Sequence, residues 1–194
     1  MSLDEFMDAH RVIVKARLVP AIGSIFQPTG FPDLGAAEFQ RPTGDGRVED
    51  ALLVESVQSM GNRFEAVGWD AEHCRPVTTL SRLPYIEVRD ADGTFVTSSR
   101  LEPHRLAGAY IRHATLDGAA VSEWLVKQLG VTKEAPIDWR SVYTAVFQLD
   151  PLCLIHGVFF SGKEWKDYGN PKVRRAITAV IEAHGAKPVV SGGI

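Results

Sequence analysis

The sequence predicts an α+β fold with helices packed on one face of an antiparallel sheet. Three observations carry this prediction. Val12–Val19 is a β-branched run that stops at Pro20, Leu53–Val67 has the spacing of an amphipathic helix, and Leu152–Phe160 is apolar almost throughout, as in a strand buried on both faces.

In chain order, Val12–Val19 is the first strand, with Lys15 and Arg17 on one face. From Pro20 to Glu49 come four prolines and five glycines, including Gln27-Pro28-Thr29-Gly30-Phe31-Pro32-Asp33-Leu34-Gly35, so a long loop is expected over 20–50. In the helix expected over Leu53–Val67, Leu53, Val57, Met60, Phe64 and Val67 form an apolar stripe. The opposite face holds Glu55, Gln58, Ser59, Asn62 and Arg63, a set with many hydrogen-bond donors and little net charge. Such a face is suited to a ribose-phosphate chain.

A strand-rich insertion is expected at about 73–115, around a hairpin of Tyr85–Arg89 and Thr94–Ser98 turning at Asp90–Gly93. Asp117 is expected to cap a helix over 118–129 ended by Gly130, and Asp138 another over 139–148 that stops before Pro151. Asn170-Pro171 is expected to open a last helix with Val173, Ile177, Val180 and Ile181 inward, followed by a short strand at Lys187–Val190. The whole of 1–194 is one domain on this reading, and its element order is compatible with the split βαβ pattern of RNA-recognition-motif folds.

Composition narrows the classes. At 45% hydrophobic and 23% charged the chain is ordinary globular material. Cys74 and Cys153 form no CxxC pair, which points away from a disulfide framework or zinc knuckle and toward a reducing, cytoplasmic setting. No apolar run approaches the ~20 residues that cross a bilayer, so no membrane partner is expected. The net charge of -3 hides segregation, because residues 32–72 hold nine acids against three bases while 160–190 hold six bases against three acids. A basic groove opposite an acidic surface would follow if that order held in space.

Catalytic signatures are weak. Gly157 to Lys163 matches most of a phosphate loop, but Glu164 stands where a hydroxyl should meet magnesium. His73-Cys74 lacks an identifiable orienting acid, and the six histidines show no metal spacing, so neither a metal nor any other cofactor is expected. His156 interrupts the apolar run, where a satisfied core histidine is the default reading and an active-site or RNA contact the alternative. Ser98, Ser99, His104 and Arg105 cluster hydroxyl and cationic donors after the hairpin. Lys172, Arg174 and Arg175 fall in the first turn of the expected last helix, where the dipole disfavours cations unless an anion is bound.

Three stretches together resemble one known family. These are Gln27 to Gly35, Leu53 to Arg63, and Asp150-Pro151 with Leu154 to Phe159. They look like the backbone RAMP-superfamily subunit (Cas-seven) of type I-G CRISPR effectors, formerly called type I-U. Leu83-Pro84-Tyr85, Thr97-Ser98-Ser99 and Glu102 to Leu106 are similar too.

The resemblance implies a non-catalytic RRM-like palm with fingers and thumb insertions. It implies polymerisation along a crRNA in the Cascade surveillance complex, where the guide is presented to a target DNA strand in antiviral defence. Further copies of the chain and other Cascade subunits are the implied partners. The RNA-binding set is then Lys15, Arg17, Gln27, Thr29, Gly30, Phe31, Gln58, Ser59, Asn62, Arg63, Ser98, Ser99, His104, Arg105, His156, Lys163, Lys172, Arg174 and Arg175, among which Lys15, Arg17, Lys172 and Arg175 would add charge. Members extend well beyond the equivalent of Ile194, so the chain is expected to be C-terminally short. The enzyme-class rival is a backbone subunit that cuts target RNA through Asp33, and a third reading is an RNA-free protein scaffold.

Overall fold

The structure, a computed structural model, describes residues 3–31 and 33–189. Helix α1 (Leu3–Asp8) precedes a stretch without regular structure, then a small hairpin of β1 (Gly30–Phe31) and β2 (Gly35–Ala36). Strands β3 (Glu38–Pro42) and β4 (Val48–Glu55) lead into α2 (Val57–Ala66). Next come β5 (Trp69–Asp70) with β6 (Arg75–Pro76), β7 (Glu87–Arg89) with β8 (Phe95–Ser98), α3 (Ala109–His113), and β9 (Thr115–Leu116) with β10 (Ala119–Ala120). Helices α4 (Val121–Leu129), α5 (Trp139–Leu149) and α6 (Leu152–His156) are followed by β11 (Val158–Phe159), α7 (Lys163–Lys166), β12 (Lys172–Val173) and β13 (Ile181–His184).

The architecture is therefore α+β, with antiparallel pairing throughout the described residues. The largest sheet runs β13-β4-β3, and the remaining strands pair as two-stranded ribbons. Among the described residues, no helix is long and apolar enough to cross a membrane.

The apolar core lies among the later helices and not beneath the three-stranded sheet. Leu106, Ile111, Val121, Leu125, Leu129, Val142, Val146, Phe160, Trp165 and Val173 form one buried cluster. Helix α4 supplies Val121, Leu125 and Leu129 one turn apart, and α5 supplies Val142, Ala145 and Val146. Asp138 caps α5 as expected, accepting from the Arg140 backbone N–H at 3.0 Å. Gly130 ends α4 at φ 64, where glycine carries no steric penalty. The hairpin at Asp90–Gly93 is also as expected.

Several elements differ from the sequence reading. Val12–Val19 forms no strand, because none of the described residues offers it a ladder; the run is exposed, Val14 to 85%. The loop over 20–50 contains β3 and a turn at Thr43–Arg47 that throws the chain back into β4. Leu53–Glu55 belongs to β4, and the helix begins only after Ser56, whose hydroxyl accepts from the Ser59 N–H. Asp117 caps nothing and instead turns the β9–β10 ribbon at positive φ, so α4 starts at Val121.

Leu152–Phe160 is mostly helix. Asp150 accepts from the Leu152 N–H at 3.1 Å, Pro151 holds helical backbone angles, and Gly157 at φ 80 turns the chain into β11. The expected last helix is extended backbone. Asn170 sits at φ 47, which an N-cap does not adopt, and Lys172–Val173 pairs with Val158–Phe159. The strand at Lys187–Val190 is not formed over Lys187–Val189, and Val190 lies outside the described residues.

The split between core and unpacked N-terminal segment makes a prediction. Leu125→Ala should lower unfolding stability by about 2–5 kcal/mol in a denaturant titration, whereas Val14→Ala should change it by less than about 0.5 kcal/mol. Comparable losses for both would contradict the placement of the core.

Candidate nucleic-acid interface

The donor-rich residues are positioned by the junction between β4 and α2. Strand β4 ends at Glu55, directly below the first turn of α2, where its carboxylate accepts from the Ser59 hydroxyl and the Arg63 guanidinium. These two donors hold the Glu55 carboxyl below the usual range. Ser59 and Arg63 are thus partly committed within the protein, while Gln58, Asn62 and Arg63 are exposed. The Gly/Pro loop is stitched to the same junction, since the Thr29 N–H is shared between the Leu53 and Val54 carbonyls at 3.1 Å each. Gly30 cannot be replaced there without movement, because a Cβ would lie 2.4 Å from the Gly35 carbonyl oxygen.

The inner face of α2 is polar rather than apolar. Val57, Gly61 and Glu65 recur every four residues and face two arginines. Arg105 donates to both oxygens of Glu65, at 2.5 and 2.8 Å, and to the Gly157 carbonyl at 3.1 Å. Arg175 donates to the Val57 carbonyl at 3.0 Å, and its guanidinium would lie 3.5 Å from a Cβ on Gly61. The expected apolar stripe is only partly covered, with Met60 and Phe64 half-buried and Val67 exposed to 74%. Arginines do the fastening that the spacing assigned to apolar side chains.

Other predicted contacts differ in where they lie. Lys15, Arg17, Gln27, His104, Lys163, Lys172 and Arg174 are exposed, with Lys15 and Arg17 in the segment that forms no strand. Ser98 and Ser99 are fully buried, and Ser99 donates to Asp150 at 2.6 Å, so these two hydroxyls are core groups and not RNA contacts. Arg105 and Arg175 are engaged with α2 as above. His156 is 6% exposed, with a buried Nδ1 that has no protein partner among the described residues, and burial pushes its pKa down. Phe31 joins β1 through its backbone, while its side chain lies outside what the structure describes. Asp33 is exposed in the turn between β1 and β2. Among the described residues no group of three or more His, Cys, Asp or Glu is placed to hold a metal ion.

A second polar cluster supports the first. Asp150 is 1% exposed, and burial raises its pKa although Ser99, Arg100 and the Leu152 N–H all favour the charged form. Arg100 Nε lies 3.7 Å from Asp150, and its Nη2 donates to the Leu83 and Pro84 carbonyls. The hairpin, α6 and the α5 terminus are joined there. Sequence reasoning missed both Glu65 and Asp150 as anchors, because an acid on a helix surface and an acid before proline each have commoner explanations.

The acidic window is partly neutralised in space, with six of its nine acids ion-paired. Glu49 pairs with Arg41 at 2.8 Å, Asp50 with Lys187 at 3.1 Å, Asp70 with His73 at 2.9 Å, and Asp45 with Arg47. Glu55 and Glu65, the acids that contact α2 or lie on it, are both paired with arginines, whereas Asp33, Glu38 and Glu72 stand exposed without an ion-pair partner among the described residues. A concavity of about 800 Å³ lies elsewhere, between the β7–β8 hairpin and α3–α4, and Ile86, Val88, Ile111 and Trp124 make it too apolar to suit phosphates.

Two predictions test this geometry. In a double-mutant cycle, Arg105→Ala and Glu65→Ala should couple by about 1–3 kcal/mol of unfolding free energy; additivity within about 0.5 kcal/mol would contradict the clamp. His156 has a folded pKa below its unfolded value, so the unfolded chain binds the extra proton as pH falls through about 6.5 and stability is lost there. Unfolding titrations from neutral to mildly acidic pH should give a shallower loss for His156→Gln than for the wild type.

A family model described as CRISPR-associated protein GSU0053 matches residues 12–188. No curated protein matches the chain. The matched span takes in the Gly/Pro loop, the β4–α2 junction and both arginines that hold α2. The chain belongs to the family of CRISPR-associated protein GSU0053.

Proposed function

We propose that this chain is a guide-RNA-binding backbone subunit of a type I-G CRISPR surveillance complex, built on an RRM-like palm and without catalytic activity of its own. Copies would follow one another along the guide, beside other subunits of the complex, and present the guide for pairing with a target DNA strand. Membership of a CRISPR-associated family supports the setting. The observation that carries the RNA contact is the outer face of α2. Gln58, Asn62 and Arg63 are exposed on it, the adjoining ridge of Val57, Gly61 and Glu65 is pinned by Arg105 and Arg175, and the Thr29 backbone is bonded to the end of β4 at its base.

That face suits a sugar-phosphate chain more than it suits bases. Amides and one guanidinium donate to phosphate and ribose oxygens without reading sequence, which leaves specificity to base pairing. Because Glu55 offsets Arg63, the contact is rich in hydrogen bonds and modest in charge. Affinity is then gained by repetition along the guide rather than by one strongly basic copy.

Substituting Asn62→Ala and Arg63→Ala together should lower affinity for the guide RNA at fixed salt by at least about tenfold and reduce the salt slope by about one. Unchanged affinity in the folded double variant would overturn the assignment of α2 as the RNA-binding face.

A further inference from the structure

The β11–β12 ribbon has two unlike faces. Val158 and Val173 pair directly and are buried at 3% and 2% exposure, so they fix the ribbon to the core. Phe160 follows, fully buried against Trp165 with ring centroids 4.8 Å apart, and its N–H donates to the Pro171 carbonyl at 2.9 Å. Alternation turns Phe159, Lys172 and Arg174 outward. Phe159 is 45% exposed between two buried neighbours, and it lies directly across from Lys172, whose Nζ is 5.3 Å from the ring centroid. Extending the same register sets Arg174 across from Gly157, diagonal to Phe159, and Gly157 contributes no side chain to that face.

An exposed phenylalanine on a rigid two-stranded ribbon, flanked by two cations, has the chemistry of a stacking platform for single-stranded nucleic acid. The local charge agrees. Glu164 and Asp167, the acids of the adjoining α7 segment, are engaged by Arg112 and Lys133. Among the described residues, neither Lys172 nor Arg174 has an acidic partner, and both are exposed.

We propose that the outer face of β11–β12 is a second nucleic-acid contact, at which Phe159 stacks on an unpaired base while Lys172 and Arg174 hold flanking phosphates. The inference rests on the RNA-binding reading above and adds to it a contact to base faces, which α2 does not make. The ring takes any base, so the contact presents bases without selecting among them. Guide RNA and the target DNA strand share this chemistry.

The test measures binding of fluorescent single strands of about 15 nucleotides at fixed salt, using oligo(U), oligo(dT) and an abasic ribose-phosphate strand of the same length. Phe159→Ala should weaken oligo(U) binding about tenfold and leave the abasic strand unchanged. Phe159→Leu, which keeps apolar bulk and so guards against misfolding, should show the same selective loss, and Phe159→Trp should retain binding. Lys172→Gln with Arg174→Gln should weaken all three strands and lower the salt slope by about 1.4. Tighter wild-type binding of oligo(U) assigns the platform to the guide, and tighter binding of oligo(dT) assigns it to the target strand. Equal weakening of oligo(U) and the abasic strand by Phe159→Leu, or no weakening of either, overturns the platform and leaves the α2 reading standing. A wild-type chain that binds none of the strands overturns both.

Discussion

The grip of Arg105 on Glu65 is the contact on which the rest of the structure depends. Helix α2 and the β13-β4-β3 sheet share little of the apolar core, which is built from residues between Leu106 and Val173. What joins the two parts is a guanidinium that spans the Glu65 carboxylate and the Gly157 carbonyl, assisted by Arg175 on the Val57 carbonyl. Both side chains of the pair are mostly shielded, at 12% and 17% exposure, so removing one would strand the other in a poorly solvated place. A bidentate fork also fixes direction, which an apolar contact of the same area does not. Clamped on that side, α2 has to present Gln58 and Asn62 outward.

The same economy recurs at Asp150. A carboxylate almost wholly removed from water is held by a serine hydroxyl, a backbone N–H and Arg100, while Arg100 also reaches the Leu83 and Pro84 carbonyls and lies over the Tyr85 ring at 5.2 Å. Polar networks of this kind add little net stability but penalise alternative packings, because every wrong arrangement leaves a buried charge unpaired. In this chain they sit where helices, hairpin and sheet meet. The short helices and two-stranded ribbons between them have too little apolar surface to specify those junctions alone.

How far the fold was legible depends on what sort of signal each element left. Some caps and turns were readable because their chemistry is local, although Asp117 and Asn170, read as caps, take positive φ and cap no helix. Asp138, Gly130 and Asp90–Gly93 do what their side chains or their lack of one dictate. Periodicity misled where two periods share a multiple. Val173, Ile177 and Ile181 lie four apart, which suits a helix, yet burial along 171–184 alternates with period two, and odd-numbered residues face inward. The Leu152–Phe160 run was read as a buried strand because a continuous apolar run carries no period, and Asp150-Pro151 at one end with Gly157 at the other make its first half a helical turn.

The candidate site was half legible. Gln58, Asn62 and Arg63 were identified from composition and are exposed on one helix, and the resemblance brought the Gln27–Gly35 neighbourhood into view, where Thr29 is bonded to the end of β4 at that helix's base. Sequence did not announce the carboxylates that engage the Ser99 hydroxyl and the Arg105 guanidinium, nor the complete burial of Ser98, whose hydroxyl has no hydrogen-bond partner among the described residues. The most direct test of the central claim is photo-crosslinking of the chain to its copurified guide RNA, followed by mass spectrometry of the linked peptides. The account predicts adducts within 27–31 and 58–63; adducts confined to the β3–β4 turn at Thr43–Arg47, with none on α2, would contradict it.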